Sequence, residues 1–397
     1  MKDKSLRTVA LLFFAALVFA CDKAGDTWLV ETTDGPMEVS KVVDPTDYDA
    51  PISAAPLEKL IKLVGKNLNN VDTVHINDIG LSIPNDAFTL NGALYLRIPY
   101  QVPLVRDDLI TLRDRQGREL AVPFVVTLPE LQFNIDCEYA DAGKELVFSG
   151  NYYDLYNIDP DDGVIMFGTV PGEILSMTKT AITVRVPVGV PDNCRITLSS
   201  PVLPSPLASS TIFRRTGTAN GVWLMADLNG NTQAPYPGSL GKFQDGPEDD
   251  GTGNMVGPEA VSGTYVRFYG DYPGGWNGDD WSLVYYVPIA GAIPPDVNTA
   301  RSNYVIKFEA WAGSELVAKS LRFEFTAALS PECCFWWGNE PTFPLNRWRT
   351  VTVDAETGLL TGGNPGGIVT DNFRLILQGS EAGFINCAID NIRFERK

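Results

Sequence analysis

The sequence has few of the residues on which enzymes most often depend. It contains one histidine, His75, among 397 residues, and it has neither a Gly-x-Ser-x-Gly elbow nor a P-loop. His75 lies between Val74 and Ile76, a pattern more typical of a strand than of a catalyst. The formal net charge is −18 at pH 7, whereas a nucleic-acid partner requires a basic surface. The composition gives little support to nucleophilic or phosphoryl chemistry and predicts that no nucleic acid is bound.

Cysteine is also scarce. Six cysteines are present, and none has the paired close spacing of a structural zinc site. Five of them follow Cys21, and an odd number cannot all form disulfides within one chain. Cys137 and Cys194 fall in one predicted module, where a disulfide and a pair of buried free thiols are both open. The cysteines therefore predict no metal centre.

The apolar run at the N-terminus, Val9–Ala20, is too short to span a bilayer. It follows basic residues within the first seven positions, as in a signal peptide. The sequence Val18-Phe19-Ala20-Cys21 resembles the signal box of bacterial lipoproteins, in which the cysteine is lipidated; an ordinary secretory signal is the alternative. We predict a signal peptide over residues 1–20, followed by lipidated Cys21 and a flexible tether over residues 21–48.

Residues 49–215 contain one unit twice. The offset is 88 residues between Arg97 and Arg185, and 86 between Ile110 and Ile196. The matching segments are Gly65–Leu68 with Gly150–Tyr153, Leu94–Pro99 with Ile182–Pro187, Val102–Pro103 with Val190–Pro191, and Ile110–Leu112 with Ile196–Leu198. Period-two alternation predicts short strands, and a unit of this length is a small β-sandwich. The turn glycine and the strand-ending proline resemble the IPT/TIG immunoglobulin-like fold, which implies two such modules over residues 49–128 and 129–215.

Residues 216–397 differ from the repeated units in composition, because seven of the eight tryptophans lie here. The segments that predict strands are Thr264–Tyr269, Ser282–Val287, Tyr304–Trp311, Leu321–Phe325, Arg349–Val353, Phe373–Leu377 and Phe384–Phe394. No segment has helical periodicity. A domain of this size with this many strands predicts a jelly-roll β-sandwich, so the whole chain is expected to be all-β.

The segment Phe335-Trp336-Trp337 places three aromatic rings in succession, followed by Gly338, Asn339 and Glu340. A regular strand or helix cannot bury three neighbouring rings on one face, because side-chain direction changes at every residue, so we predict that at least one ring faces water. Exposed apolar patches mark binding surfaces. We expect Phe335 to be the ring that packs inward, because it has no polar edge.

Other tryptophans extend the predicted surface. Strand parity places Trp311 on the polar face of its strand with Lys307 and Glu309. Trp276 and Trp281 flank a loop rich in Asn and Asp. Indole faces beside amides and carboxylates suit sugars, whose C–H faces stack and whose hydroxyls form hydrogen bonds.

The order of these segments resembles the C-terminal domain of cell-surface glycan-binding lipoproteins from Bacteroidota polysaccharide-utilisation systems, whose best-known members bind xyloglucan. The resemblance rests on Tyr304–Trp311, Leu321–Phe325, Phe335–Trp337, Asn346–Val353 and Ile389–Phe394. Two features of this sequence depart from the family pattern. They are the acidic loop Gln244–Asn254 and the pair of consecutive cysteines, Cys333 and Cys334.

The resemblance implies a non-catalytic protein on the outer membrane, lipid-anchored and facing the exterior. Its ligand would be a neutral plant polysaccharide, a β-glucan or hemicellulose with xyloglucan first, and its partners an outer-membrane transporter and the lipoprotein lid of that transporter. The resemblance also implies that Trp336 and Trp337 line the glycan-binding surface. The predicted ligand-binding residues are Trp336, Trp337, Trp311, Trp276, Trp281, Asn339 and Glu340.

Two other functions are open. A glycoside hydrolase needs two carboxylates at a defined separation, and Glu309, Glu324 and Glu340 are candidates. A structural or adhesive lipoprotein that binds protein is the second alternative. No cofactor is predicted, although the resemblance to jelly-roll carbohydrate modules allows a structural calcium near Asp227 or Asp390; the segment 227–231 lacks the closing residues of a calcium loop.

Overall fold

The protein is all-β, as predicted. The computed structural model describes residues 35–229, 239–274, 293–316, 319–325, 334–338, 340, 342–358 and 373–397, together with the backbone of 282–286. The chain divides into two compact units at Glu130 and Leu131. No helix in the described residues is long and apolar enough to cross a membrane.

The first unit contains two facing antiparallel sheets around an apolar core. Its strands are β1 Glu38–Asp44, β2 Ala50–Pro51, β3 Ala54–Pro56, β4 Leu60–Lys66, β5 Val71–Ile76, β6 Ile79–Leu81, β7 Ala87–Leu90, β8 Ala93–Arg97, β9 Leu109–Asp114, β10 Glu119–Pro123 and β11 Val125–Thr127, with a 3-10 turn at Leu68–Asn70. The sheet orders are β2-β1-β4-β8-β7 and β10-β9-β5-β6, while β11 pairs with β3 in parallel.

Strand β1 lies inside the segment 21–48 that the sequence assigns to a tether. It pairs with β4 in antiparallel register, and its Val42 and Val43 are buried. Two adjacent valines give a weak strand signal in an otherwise polar segment, but the pairing places them against the core. For these residues the predicted tether is corrected to a strand of the first module.

The second module repeats this arrangement at the start of the second unit. Its strands are β12 Phe133–Ile135, β13 Glu145–Gly150, β14 Val164–Phe167, β15 Val170–Pro171, β16 Glu173–Met177, β17 Ala181–Arg185, β18 Ile196–Ser199 and β19 Leu207–Ala208. The order β12-β13-β17-β16 matches β1-β4-β8-β7, and β15-β14-β18-β19 matches β6-β5-β9-β10. The two copies inferred from sequence therefore have the same strand order.

Gly65 and Gly150 occupy equivalent positions in the two modules, and the same steric constraint requires glycine at both. A Cβ on Gly65 would lie 1.7 Å from the carbonyl oxygen of Glu38, and one on Gly150 would lie 2.2 Å from that of Gln132. In each module the first part of the chain crosses this position so closely that no side chain fits. Two residues later, Asn67 and Tyr152 both adopt a positive φ, of 60° and 55°.

We predict that Gly65→Ala lowers the free energy of unfolding by about 1–3 kcal/mol, the usual cost of overpacking. The control is Gly80→Ala, because a Cβ there meets only the His75 side chain, at 3.4 Å. Denaturant unfolding measures both variants. Equal stability of the two would contradict the assigned close approach.

The C-terminal domain is a β-sandwich. Its strands are β20 Val222–Ala226, β21 Gly241–Gln244, β22 Glu248–Asp249, β23 Met255–Val256, β24 Tyr265–Tyr272, β25 Ser282–Tyr286, β26 Tyr304–Ala312, β27 Lys319–Phe325, β28 Cys334–Gly338, β29 Arg349–Asp354, β30 Phe373–Gly379 and β31 Gly383–Arg396, with 3-10 turns at Thr218–Asn220 and Arg301–Asn303. The described sheets are six-stranded, in the order β21-β24-β31-β26-β29 with β20 also on β31, and four-stranded, in the order β25-β30-β27-β28, beside the hairpin β22-β23.

The core lies between these two sheets. Phe308 of β26 faces Phe323 of β27 at 4.7 Å between ring centroids, and Phe323 stacks on Phe335 of β28 at 4.3 Å. Successive side chains of a strand point to opposite faces. In each of these strands, the residues on either side of the core phenylalanine therefore lie on an outer face of the sandwich. These two outer faces contain the polar and aromatic residues considered next.

Candidate functional site

The outer face of the four-stranded sheet presents a grid of side chains from β30, β27 and β28. The pairing register aligns three rows, namely Gln378–Ser320–Gly338, Ile376–Arg322–Trp336 and Arg374–Glu324–Cys334. The alternate residues Phe323, Leu375 and Phe335 fill the core. The face therefore combines one indole with charged and amide side chains.

Among the described side chains of this face, Trp336 is the exposed ring, with 39% of the residue accessible to solvent. The guanidinium of Arg322 lies 5.8 Å from the centre of the indole ring. Arg322 is itself held by Glu324, with 3.2 Å between the guanidinium nitrogen and the carboxylate oxygen. A cation over an aromatic face is attracted by the ring quadrupole, so this contact orients an indole that remains open to solvent.

Charged groups on this face are buried and paired. Glu324 also accepts a hydrogen bond from Arg374, so one carboxylate lies between two guanidinium groups. Burying such groups is unfavourable unless they are paired and hydrogen-bonded. The pairing fixes Arg322, in the same row as Trp336, and the charged side chains of one neighbouring row.

Gln378 is a buried amide on this face whose two polar atoms have no hydrogen-bond partner among the described residues. Its residue exposure is 6%. A buried amide of this kind has both a donor and an acceptor to offer, which is what a sugar hydroxyl needs.

Residues 240–396 match the surface glycan-binding protein B xyloglucan binding domain. The family resemblance predicted from the sequence is thereby confirmed for this part of the chain. The match contains the described strands from β21 to β31 and the whole outer face that carries Trp336. No curated protein matches the chain.

Three solved structures show the range of similar chains. Surface glycan-binding protein PbSGBP-B from Prevotella bryantii has 16% identity, a TM-score of 0.47, and coverage of 91% of this chain and 99% of its own. SGBP-B from a complex xyloglucan utilization locus in Bacteroides uniformis has 12% identity, a TM-score of 0.48, and coverage of 91% and 100%. SGBP-B from the Bacteroides ovatus mixed-linkage glucan utilization locus, in complex with mixed-linkage heptasaccharide, has 14% identity, a TM-score of 0.27, and coverage of 85% and 72%. These TM-scores are below 0.5, so the family model alone supports the resemblance.

The aromatic segment of the domain is a regular strand, which corrects one predicted site residue. Phe335 is fully buried, as expected. Trp337 is also buried, at 3% exposure, and contacts Phe308 and Phe343 edge to face at 5.7 and 5.3 Å. Residues i and i+2 of a strand share a face. The predicted lining role of Trp337 is therefore wrong, and Trp337 is a core residue.

Trp311 does not join Trp336. It lies on β26, on the outer face of the opposite sheet, and its exposure is only 6%. The prediction from strand parity is confirmed, since the alternate residues Ile306, Phe308 and Ala310 fill the core. Lys307, Glu309 and Trp311 therefore share the outer face. The prediction that Trp311 extends the surface of Trp336 is wrong, because Trp311 lies on the opposite sheet, on a face that the second module covers.

The remaining predicted residues are placed in part. Glu340 is exposed, two residues beyond β28. Trp276, Trp281 and Asn339 lie outside the described residues, as does Cys21. Their predicted ligand and lipidation roles remain predictions.

Two of the hydrolase candidates are structural ion pairs. Glu309 is fully buried and accepts hydrogen bonds from Arg393, at 2.7 and 3.2 Å, and from Thr350, at 2.9 Å. Glu324 is buried between two arginines on the other sheet. The carboxylates thus lie on opposite outer faces of the sandwich, whereas the pair of a glycosidase must flank one glycosidic bond.

Glu309 belongs to a buried charge network that extends into the second module. Arg393 also bonds Glu395 at 2.9 Å, and Lys307 reaches both Glu395, at 3.2 Å, and Glu138 of the second module, at 2.7 Å. Burial opposes the charge on Arg393, but the carboxylates of Glu309 and Glu395 outweigh it and raise the pKa of the guanidinium. Burial in turn raises the pKa of the Glu309 carboxyl. Through Lys307 and Glu138 the network joins the second module to the C-terminal domain.

A structural calcium near Asp227 or Asp390 stays a prediction. Among the described residues, no three His, Cys, Asp or Glu side chains form a group that could hold a metal ion. Burial raises the pKa of Asp390 well above its usual range, and Ser262 and the Asn391 N–H donate hydrogen bonds to the carboxyl. Asn231, in the predicted loop after Asp227, lies outside the described residues.

The described cysteines are free and buried, namely Cys137, Cys194, Cys334 and Cys387. Of the two possibilities open for Cys137 and Cys194, free thiols are the one observed. Burial raises the pKa of the Cys387 thiol to about 12, which suits a packing role and not a reactive one.

We predict that Glu309→Gln lowers the free energy of unfolding by about 3–5 kcal/mol, because it leaves Arg393 charged and buried without its main counter-charge. The control Glu173→Gln breaks an exposed pair with Arg185 of 2.7 Å, which is worth about 0–1 kcal/mol. Denaturant unfolding measures the difference. A loss of less than about 1 kcal/mol in Glu309→Gln would contradict the structural role.

Proposed function

We propose that the C-terminal domain holds a neutral β-linked plant polysaccharide without cleaving it, with Trp336 as the stacking ring. The observation that carries this is an exposed indole, backed by Arg322, within a domain that matches a xyloglucan-binding family. Gln378 and the ion-paired side chains of the same face supply hydrogen-bonding groups. Exposed Glu340, near the end of β28, is a further group within the proposed site.

The ligand class follows from two considerations. The family that matches the C-terminal domain is described as xyloglucan-binding. The net charge of −18 disfavours acidic polysaccharides through long-range repulsion. A neutral β-glucan backbone, with xyloglucan first, is therefore the proposed ligand.

A single ring implies a weak site. Aromatic stacking contributes about 0.5–1.5 kcal/mol beyond area burial, so one ring alone cannot give tight binding. Affinity is expected to increase with the length of the glycan as further subsites are filled. Trp276 and Trp281 remain candidates for those subsites.

Non-catalytic binding agrees with the placement of the glutamates. Glu309 forms an ion pair with Arg393. Glu324 forms ion pairs with Arg322 and Arg374. The matched family is described as glycan-binding. We therefore propose that no reducing sugar is released when the protein is incubated with its polysaccharide.

The setting of this function is proposed from the sequence. Lipidation at Cys21 would anchor the protein to the outer membrane facing the exterior, and the two Ig-like modules would lift the binding domain off the surface. The partners would be an outer-membrane transporter and its lipoprotein lid. Labelling of Cys21 with a lipid precursor, lost in Cys21→Ala, tests the anchor.

We predict that Trp336→Ala weakens binding to xyloglucan about tenfold or more while leaving stability within about 0.5 kcal/mol, because the ring is exposed. Trp337→Ala should instead cost about 3–5 kcal/mol of stability, because it leaves a core cavity. Affinity electrophoresis and unfolding curves separate the two effects.

The control for Trp336 is Phe384→Ala, which removes another exposed ring, on β31 of the opposite sheet. It should leave xyloglucan binding unchanged. Wild-type binding by Trp336→Ala would place the glycan elsewhere.

We predict that Gln378→Met raises the free energy of unfolding and weakens glycan binding. An unsatisfied buried polar group costs about 1–3 kcal/mol, so its removal stabilises the sheet and takes away a contact for the sugar. Gln244→Met is the control. Gln244 is equally buried on the other sheet and accepts a hydrogen bond from Tyr265, at 3.4 Å, so its replacement should destabilise. A loss of stability in Gln378→Met would show that the amide is already satisfied.

A further inference from the structure

A cleft lies between the second module and the C-terminal domain, on the sheet opposite Trp336. Its volume is about 570 Å3, within the range of about 300–1,000 Å3 that is common for small-molecule sites, which often lie at domain interfaces. The C-terminal domain contributes Gly257–Val261, Trp311 and Asn346–Trp348, and the second module contributes Gly143–Val147.

Two indoles line this cleft, and both are fixed. The Trp348 N–H donates to the carbonyl oxygen of Glu259 at 2.8 Å, and its ring meets Tyr265 edge to face at 5.6 Å. The Trp311 ring lies over Gly313, where a Cβ would come within 2.4 Å of the ring. Trp311 and Trp348 are 6% and 8% exposed. Neither ring needs to reorganise in order to form a wall.

The domain joint holds the two walls at a fixed separation. The Asp141 N–H donates to the Val261 carbonyl at 2.7 Å, and the Thr350 N–H donates to the Asp136 carbonyl at 2.8 Å. The Glu138 N–H donates to the Thr350 hydroxyl at 2.7 Å. With the buried pair of Glu138 and Lys307, these bonds make the cleft a preformed feature of one compact unit.

The charges that line the cleft balance. Lys144 and Arg347 are positive, and Glu145 and Glu259 are negative. Arg347 lies 3.3 Å from Asp136, and Glu145 lies 3.2 Å from Arg185. A lining with equal numbers of both signs, beside indoles and the Asn346 amide, suits a polar ligand without net charge.

We propose that this cleft is a second binding site for a short neutral β-gluco-oligosaccharide, with a sugar ring against Trp311. The ligand class rests on the proposed function, whereas the position of the site rests on the geometry of the cleft alone. The site would let one chain hold a glycan at two points on opposite sheets of the sandwich. The alternative is that the cleft binds no oligosaccharide and contains only water.

Val147→Trp tests the proposal, because it fills the cleft from the second module without touching that module's core. Val147 lines the cleft and lies on the outer face of β13, between core residues Leu146 and Phe148. The matched control is Thr183→Trp. Thr183 pairs directly with Val147 on the next strand but does not line the cleft.

Cellotetraose binding is measured by isothermal titration and ligand-observed NMR on the full chain, in the wild-type and Trp336→Ala backgrounds. We expect Trp336→Ala to retain saturable binding. Adding Val147→Trp to it should lower the remaining affinity at least tenfold, and adding Thr183→Trp should leave it within twofold. Because Val147→Trp can impair folding, Trp311→Leu, which keeps an apolar residue at that position, is measured as a second variant with the same expected loss.

The outcomes separate the two proposals. If Trp336→Ala alone removes all binding, the cleft holds only water and the proposal of a second site is overturned, while the proposed function stands. If Val147→Trp and Trp311→Leu abolish binding in the wild-type background and Trp336→Ala has no effect, the cleft is confirmed and the glycan site on the four-stranded sheet is wrong. Unchanged affinity in both cleft variants overturns the second site.

Discussion

The buried ion pair between Arg393 and Glu309 determines how the two outer faces of the C-terminal sandwich are used. It lies on the outer face of the six-stranded sheet, and ions buried there need partners on the layer that covers them. The second module supplies such a partner in Glu138, which reaches Lys307 at 2.7 Å. That face is consequently committed to joining two domains. An exposed stacking ring can then lie on the other sheet, where Trp336 is found.

Period-two alternation predicted most of the sandwich, because it records which face of a strand meets the core. The seven strands expected in the C-terminal domain are all present, and the repeat in the first half emerges as two modules with one strand order. The same rule would have sorted the three aromatic rings. Residues 335 and 337 share a face, so carrying the family's lining role over to both tryptophans without applying this rule is what put Trp337 on the wrong side. Arg322, Glu324 and Gln378 also lie in alternating segments, but their chemistry depends on the lateral register of three strands, which one strand does not specify.

The alternation of residues along a strand predicts which side chains point away from the core. It does not predict whether that outer face is exposed to water or covered by another domain. Trp311 was correctly assigned away from the core, yet its surroundings depend on residues about 165 positions earlier in the chain, such as Glu145 and Val147. No local pattern contains that information. The same limit applies to β1, where Val42 and Val43 become a strand only because β4 is available as a neighbour.

A sheet face that keeps polar groups buried is a costly arrangement for a structural domain. Methionine or leucine at position 378 would allow the same backbone pairing without an amide donor and acceptor that lack a partner in the described part of the chain, and natural proteins commonly trade such stability for function. Glu324 shows a related cost, since one carboxylate is the shared counter-charge of two guanidinium groups and also fixes the one behind the exposed indole. A purely adhesive or spacer domain would have no use for these features together. Their coincidence on the face that carries Trp336 is explained by a ligand rich in hydroxyl groups, which needs an aromatic plane and hydrogen-bonding groups held in fixed positions around it.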